Sequence, residues 1–317
     1  MYHDSGKLKP LMKKPAPILV LLALITVQVL FGLNYVISKV VVEAFPPLLW
    51  ASARIIISTI LMFMIAGFAG TRMPRGRAFF LPLVIFALLG TVINQASFLV
   101  GLHLTSSTNS AILNTLIPVV TLLIVTLRGQ EAATWKRVVG FVFAFGGVLV
   151  LRKVENFSFS DQTFLGDLLT ILNCVSYGFF LAYGKTFLER HDRIWTTAWM
   201  FAYGSVGLTA LALPDWMHFT LPTLTPLLVG CMVFGIVGAT LLTYFLNFWA
   251  LAHAKASSVA IFIYLQPIVA AALAWSWFGE AVTVRTAVSS LLIFGGVLLA
   301  LQKEPSEDTE LSPVLKT

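Results

Sequence analysis

A shift of 149 residues lays the segment from Thr91 to Lys153 on the segment from Thr240 to Gln302 without a gap. "AILNTLIPVV" at 111–120 falls on "AIFIYLQPIV" at 260–269, and "EAATWKRVVG" at 131–140 falls on "EAVTVRTAVS" at 280–289. The "FGGVL" at 145–149 meets the same five letters at 294–298. Nearer the start the shift is 146, so that Gly32 meets Gly178 and Lys39 meets Lys185. Self-similarity on this scale means one structural unit used twice.

The repeated unit is built of apolar runs. A helix needs about 20 largely apolar residues to cross the hydrocarbon core. Candidates lie at 18–40, 47–69, 79–101, 107–127, 135–151, 164–186, 194–213, 224–250, 257–278 and 284–301. Their lengths and lack of strict alternation favour helices over a barrel. The composition agrees: of 317 residues 58% are hydrophobic and 11% charged, where soluble domains carry roughly a quarter charged. The first run follows Lys7, Lys9, Lys13 and Lys14 but is too long for a signal-peptide core, and so reads as a span.

Ten spans in two copies give five per copy, and an odd number turns the second copy upside down in the membrane. The charges follow this. The 72–77 loop holds three arginines, whereas its counterpart at 214–223 holds Asp215 and no Lys or Arg. With the N-terminus inside, sixteen of the 21 Lys and Arg residues fall in cytoplasmic segments and four outside. The positive-inside rule then places both termini in the cytoplasm. The expected organisation is a cytoplasmic segment at 1–17, a five-helix repeat at 18–152, its inverted copy at 153–302 and a disordered polar tail at 303–317. The fold class expected is an all-α integral membrane protein of ten transmembrane helices. Inverted repeats of this kind recur in transporters, where exchanging the conformations of the halves exchanges inward- and outward-open states.

The residues also resemble a family, the EamA-type transporters of the drug/metabolite transporter superfamily. The resemblance is carried by "FGLNYVISK" at 31–39, the Ala53–Arg54 pair and the proline-centred fourth and ninth spans. Glu-x-x-Thr turns follow those spans at Glu131–Thr134 and Glu280–Thr283, and "GGV" closes each copy. The second copy departs from it with "YGFFLAYGK" at 177–185 and with Met200 where Arg54 would repeat. The resemblance implies ten helices in two inverted repeats and movement of small metabolites, often outward, with amino acids or related compounds as the leading substrates.

Polar side chains in a span face the bundle or a cavity more often than lipid. The candidate substrate-binding residues are Asn34, Asn94, Gln95, Asn114, Thr115, Asn173, Tyr177, Tyr244, Tyr264 and Gln266, with Thr243 and Asn247 beside them. Interhelical hydrogen bonding is the other use of such residues. Pro118 and Pro267 sit mid-span at matching places, as candidate kinks or gates. Each would free the carbonyl four residues back, on Asn114 and on Ile263. Arg54 is a candidate to contact a substrate carboxylate, with snorkelling or pairing with Glu43 as alternatives. The lack of other mid-span charge favours a neutral or zwitterionic ligand. Glu131 and Glu280 read as caps on the helix that follows each. The pairs Gly140/Ala144, Gly178/Ala182 and Gly235/Ala239 have the spacing of close helix packing.

No Walker loop, H-E-x-x-H, G-x-S-x-G or paired Cys/His spacing occurs, so the chain reads as neither an enzyme nor an ATP-driven pump, with no metal and no cofactor. Cys174 and Cys231 read as small buried hydrophobes. The basic residues sit in short loops rather than in a patch, which argues against nucleic acid and leaves lipid and a small-molecule substrate as partners. The functional reading is a secondary carrier working by alternating access in a bacterial inner membrane, an exporter or exchanger. A membrane receptor or scaffold and a channel are the alternatives, and monomer and homodimer both remain open.

Overall fold

The computed structural model describes residues 15–105, 110, 113–132, 134–151, 164–269, 272 and 284–302. The described residues form helices and connecting turns, with no strand among them. In chain order the helices are α1 (Pro17–Ala44), α2 (Pro47–Phe68), α3 (Arg77–Leu104), α4 (Leu116–Leu127), α5 (Trp135–Leu151), α6 (Phe164–Arg190), α7 (Arg193–His218), α8 (Pro226–Leu251), α9 (Ala256–Val269) and α10 (Val284–Leu301). Six of them, α1, α2, α3, α6, α7 and α8, are long and apolar enough to cross a bilayer. The first part of the fourth expected span and the far part of the ninth lie outside the described residues, as do Glu280–Thr283 and the 303–317 tail.

Local chemistry sets several helix starts. Proline opens α1, α2 and α8, where its missing N–H would have had no helical partner anyway. The Asp192 carboxylate accepts from the Trp195 N–H at 3.0 Å to start α7, and the Thr225 hydroxyl accepts from the Leu228 N–H to start α8. After α4 the chain turns through Gly129 at φ 64°, a conformation that favours glycine.

Large apolar side chains lie exposed around the bundle, among them Ile60, Leu81, Leu123, Val142, Val206 and Leu291. Polar ones point inward, including Gln28, Asn34, Arg54, Asn94, Asn114 and Asn173. A soluble protein inverts this arrangement; a bilayer selects it.

The packing pairs include α2 with α7, α5 with α10, α1 with α8, α3 with α6, α3 with α7, α4 with α6, α2 with α8, α4 with α9 and α1 with α9. Small residues let the backbones approach. A Cβ added to Gly140 would sit 2.5 Å from the Gly296 carbonyl oxygen, and one on Gly296 would sit 2.5 Å from that of Gly140. One on Gly147 would meet the Ser289 carbonyl at 2.9 Å. Gly32 packs on Val269 and Gly178 on Val120. The expected small-residue contacts at Gly140/Ala144 therefore fall on α10, and Gly235 falls on Trp50.

Three irregular stretches interrupt the long helices. Leu88–Ile93 in α3 and Phe234–Leu242 in α8 are π-helical, and Phe262–Leu265 in α9 is a 3₁₀ turn. The two π segments overlap under the 149-residue shift. In the 3₁₀ turn the Ile263 carbonyl, which Pro267 was expected to free, accepts from the Gln266 N–H instead. Ahead of Pro118 the chain turns at Thr115 before α4 resumes at Leu116. Helical regularity thus fails just before both prolines, where the ring excludes a normal turn.

Glu131 differs from expectation. Its carboxylate accepts from the Ser257 N–H at 3.3 Å and from the Ser257 hydroxyl, so it caps the start of α9 rather than α5. Arg137 completes the cluster with an ion pair at 3.1 Å. Two lysines related by the repeat are also placed differently. Lys39 on α1 donates to the carbonyls of Leu102 at 2.9 Å and His103 at 3.4 Å, at the C-terminal end of α3. Lys185 on α6 instead pairs with Glu189 one turn on, at 2.5 Å.

Candidate functional site

The inward polar residues surround a partly open cavity, about 680 Å³ with the solvent space at its mouth included. It is lined by α1 (Gln28, Phe31, Asn34, Tyr35), α2 (Arg54), α3 (Asn94, Gln95, Phe98), the α4 region (Asn114, Ile117), α6 (Asn173, Tyr177, Leu181), α8 (Ala239, Tyr244, Asn247) and α9 (Val259, Ile263, Gln266). Helices α5, α7 and α10 supply none of these residues.

The π segments place its polar groups. A π turn holds an extra residue, so it rotates the helix that follows and leaves backbone carbonyls short of helical partners. In α3 the segment ends at Ile93, and Asn94 and Gln95 immediately follow. In α8 it ends at Leu242, two residues before Tyr244. The carbonyls in the α3 segment are satisfied from neighbouring helices: the Ser176 hydroxyl donates to Leu89 O at 2.7 Å and the Tyr244 hydroxyl to Gly90 O at 3.0 Å. Inside a bilayer such carbonyls must find protein or water.

A chain of side chains crosses the cavity wall. The Arg54 guanidinium donates to Gln95 Oε1. Gln95 Nε2 donates to Asn94 Oδ1 at 3.0 Å and to the Tyr244 oxygen at 2.5 Å. Asn94 Nδ2 donates to Asn173 Oδ1 at 2.5 Å, and Asn173 Nδ2 to Asn114 Oδ1 at 2.6 Å. A second set lies beside it: Gln266 Nε2 donates to Gln28 Oε1 at 2.7 Å, the Tyr35 hydroxyl to Gln266 Oε1 at 3.1 Å, and Asn247 Nδ2 to the Tyr177 oxygen at 2.6 Å.

Of the residues singled out in the sequence, Asn34, Arg54, Asn94, Gln95, Asn114, Asn173, Tyr177, Tyr244, Asn247 and Gln266 line this cavity. Thr243, Thr115 and Tyr264 do not, and Thr243 is buried within α8. Thr115 is buried at the turn ahead of α4, and Tyr264 is buried against Phe141 of α5, ring centroids 6.3 Å apart. The 3₁₀ turn explains the second case: residues three apart share its face, so Ile263 and Gln266 turn to the cavity and Tyr264 turns away. Pro118 and Pro267 flank lining residues but are not lining themselves. Arg54 is 2% exposed, so it neither snorkels nor reaches Glu43, and its charge lies on the cavity wall. The sequence reading did not single out Gln28 or Tyr35, although a lone glutamine in the first apolar run carried the same signal as the asparagines.

The profile of the EamA-like transporter family matches residues 18–153 and again residues 164–302. A transporter of Archaeoglobus fulgidus, named only as uncharacterized, is 27% identical over 86% of this chain and 93% of its own. The uncharacterized inner membrane transporter YedA of Escherichia coli K12 is 25% identical over 89% of this chain and 90% of its own. A solved crystal structure superposes with a TM-score of 0.71 at 16% identity, covering 89% of this chain and 95% of that one, a likeness of fold.

Proposed function

The chain belongs to the EamA-like transporter family and is an integral membrane protein, and from that premise we propose that it is a secondary carrier that moves small metabolites, amino acids or related compounds, by alternating access. The observation that carries this reading is the polar cavity between the two repeats, lined from α1, α3 and the α4 region of the first and from α6, α8 and α9 of the second.

The ten helices act as two five-helix repeats of opposite orientation, 18–152 and 153–302, with both termini cytoplasmic in a bacterial inner membrane. The packing supports this. Replacing each helix by its counterpart five places along turns α3–α6 into α8–α1 and α4–α6 into α9–α1, while α2–α7 and α5–α10 map onto themselves. The contact of Gly140 with Gly296 maps onto that of Ser289 with Gly147, and Gly32–Val269 onto Gly178–Val120. A carrier also needs its halves to differ in any one state. Lys39 holds the end of α3, whereas its counterpart Lys185 does not hold the end of α8. The irregular backbone before Pro118 and Pro267 is where α4 and α9 bend as the halves exchange arrangements, and the family resemblance favours an exporter or exchanger.

Reconstitution tests the reading. Proteoliposomes loaded with an unlabelled amino acid should accumulate the labelled one by counterflow, with saturation, and a pH gradient across the same vesicles reports proton coupling. Flux without saturation or counterflow would make the protein a channel. Absence of flux across a broad metabolite panel, with the protein folded, would leave a receptor or scaffold.

A further inference from the structure

The cavity wall carries one charge. Among the described residues Arg54 is the lone ionic side chain in its lining; no described Asp, Glu, Lys or His joins it. Among the described residues the ion pairs are Arg137–Glu131 and Lys185–Glu189, and Arg54 belongs to neither. Its Nη2 donates to Gln95, while its Nη1 is buried with no hydrogen-bond partner among the described residues. A guanidinium stays protonated, and an uncompensated charge within a membrane protein is expensive to keep.

The arginine also orients the amides beyond it. A guanidinium can only donate, so Gln95 must present its oxygen to Arg54 and its nitrogen to Asn94 and Tyr244. Asn94 then presents oxygen to Gln95 and nitrogen to Asn173, and Asn173 passes the same sense to Asn114. The chain ends on Asn114 Nδ2, a second buried donor with no partner among the described residues. A run of amides would ordinarily be free to flip; here one cation sets its sense. The wall therefore begins and ends on unsatisfied donors, and no acidic side chain answers them.

We propose that the transported ligand is a small organic monocarboxylate whose carboxylate is taken by Arg54, and that no ammonium group on the ligand is required. The inference rests on the carrier reading and narrows it. Carboxylate geometry matches the planar guanidinium fork. A single positive charge balances a monoanion, whereas a phosphate ester dianion would bring surplus negative charge into the cavity. Phe31, Phe98 and Tyr177 give the rest of the ligand an apolar wall. For an amino acid substrate the carboxylate then carries recognition and the amine is tolerated.

Binding and flux are measured separately on the purified, reconstituted protein. The probes are benzoate, phenylacetate and phenylalanine against benzamide, phenylacetamide and phenylalaninamide, with phenyl phosphate as the dianion. Wild type is expected to bind each carboxylate at least about tenfold more tightly than its amide, the usual scale for a charge-assisted hydrogen bond. Phenylacetate should bind within a few-fold of phenylalanine. Arg54→Gln should bring the ratio of acid to amide affinity close to one, and Arg54→Lys should restore part of the preference. Equal binding of acids and amides by wild type overturns the inference even if Arg54→Gln fails to fold, and so does binding by none of the probes. A preference for phenyl phosphate, or for phenylalanine alone among the acids, overturns it as well. Flux of amides as fast as acids overturns the inference and leaves the carrier reading standing. Acid-selective binding without flux overturns the carrier reading and leaves a carboxylate-binding site that does not transport.

Discussion

Gln95 is the residue on which the central network turns. It accepts from Arg54, donates to Asn94 and Tyr244, and lies opposite its own repeat counterpart, since Tyr244 stands 149 positions on. Replacing it with leucine keeps the volume and removes every one of these bonds. Arg54 then loses its sole acceptor among the described residues, and each orphaned buried group costs about 1–3 kcal/mol. Gln95→Leu should therefore lower the melting temperature of the detergent-solubilised protein clearly, while Asn247→Leu, which breaks one bond to Tyr177, should do so less. Equal melting temperatures for the two variants would show that the network is not organised around Gln95. Much of this site was legible in the sequence, because an amide in an apolar run has few uses. Tyr264 shows the limit. Its position beside Pro267 suggested the cavity, but a 3₁₀ turn set its direction, and no residue pattern announces a 3₁₀ turn in place of an α turn.

At the scale of elements, α5 and α10 show how far backbone approach depends on missing side chains. Gly140→Val would drive a Cβ to within 2.5 Å of the Gly296 carbonyl, a backbone atom that cannot swing aside. Overpacking of this kind costs about 1–3 kcal/mol or more. Gly146 on the same helix has open space where its Cβ would lie, and Gly146→Ala should stabilise the protein by up to about 1 kcal/mol through helix propensity alone. Thermal unfolding of the two variants should move in opposite directions, and a parallel shift would mean that α5 and α10 do not pack as described. The small-residue spacing was visible in the sequence; the partner helix was not. The π segments were invisible as well. Nothing in "LLGTVI" distinguishes a π turn from an α turn, because its extra residue is held by Ser176 and Tyr244 reaching in from other helices to bond the Leu89 and Gly90 carbonyls.

For the whole molecule, the unequal lysines offer a test of alternation. If the bond from Lys39 to the end of α3 marks one state and a bond from Lys185 to the end of α8 would mark the other, removing each should bias the protein oppositely. Lys39→Met should shift the balance away from the arrangement described here by about tenfold, the scale of one charged hydrogen bond, and Lys185→Met should shift it toward that arrangement. A cysteine at position 114, in a background lacking Cys174 and Cys231, reports the outcome through its labelling rate by an impermeant thiol reagent added from one side. Shifts of the same sign in both variants would sink the alternation of the two lysines.

The sequence by itself determined that this chain is helical, apolar outside and built from a repeated unit, because hydrophobic run length and the 149-residue shift are one-dimensional properties. It also named most of the cavity wall, because polar groups buried in a bilayer must find company. Tertiary structure decided the rest. The helices that meet around Arg54 bury it on the cavity wall, with no acidic partner among the described residues. Glu131 capped α9 rather than its own neighbour, 126 residues away in the chain. Both depend on which helices meet, and a hydrogen bond's energy depends on distance in space, which spacing along the chain does not encode.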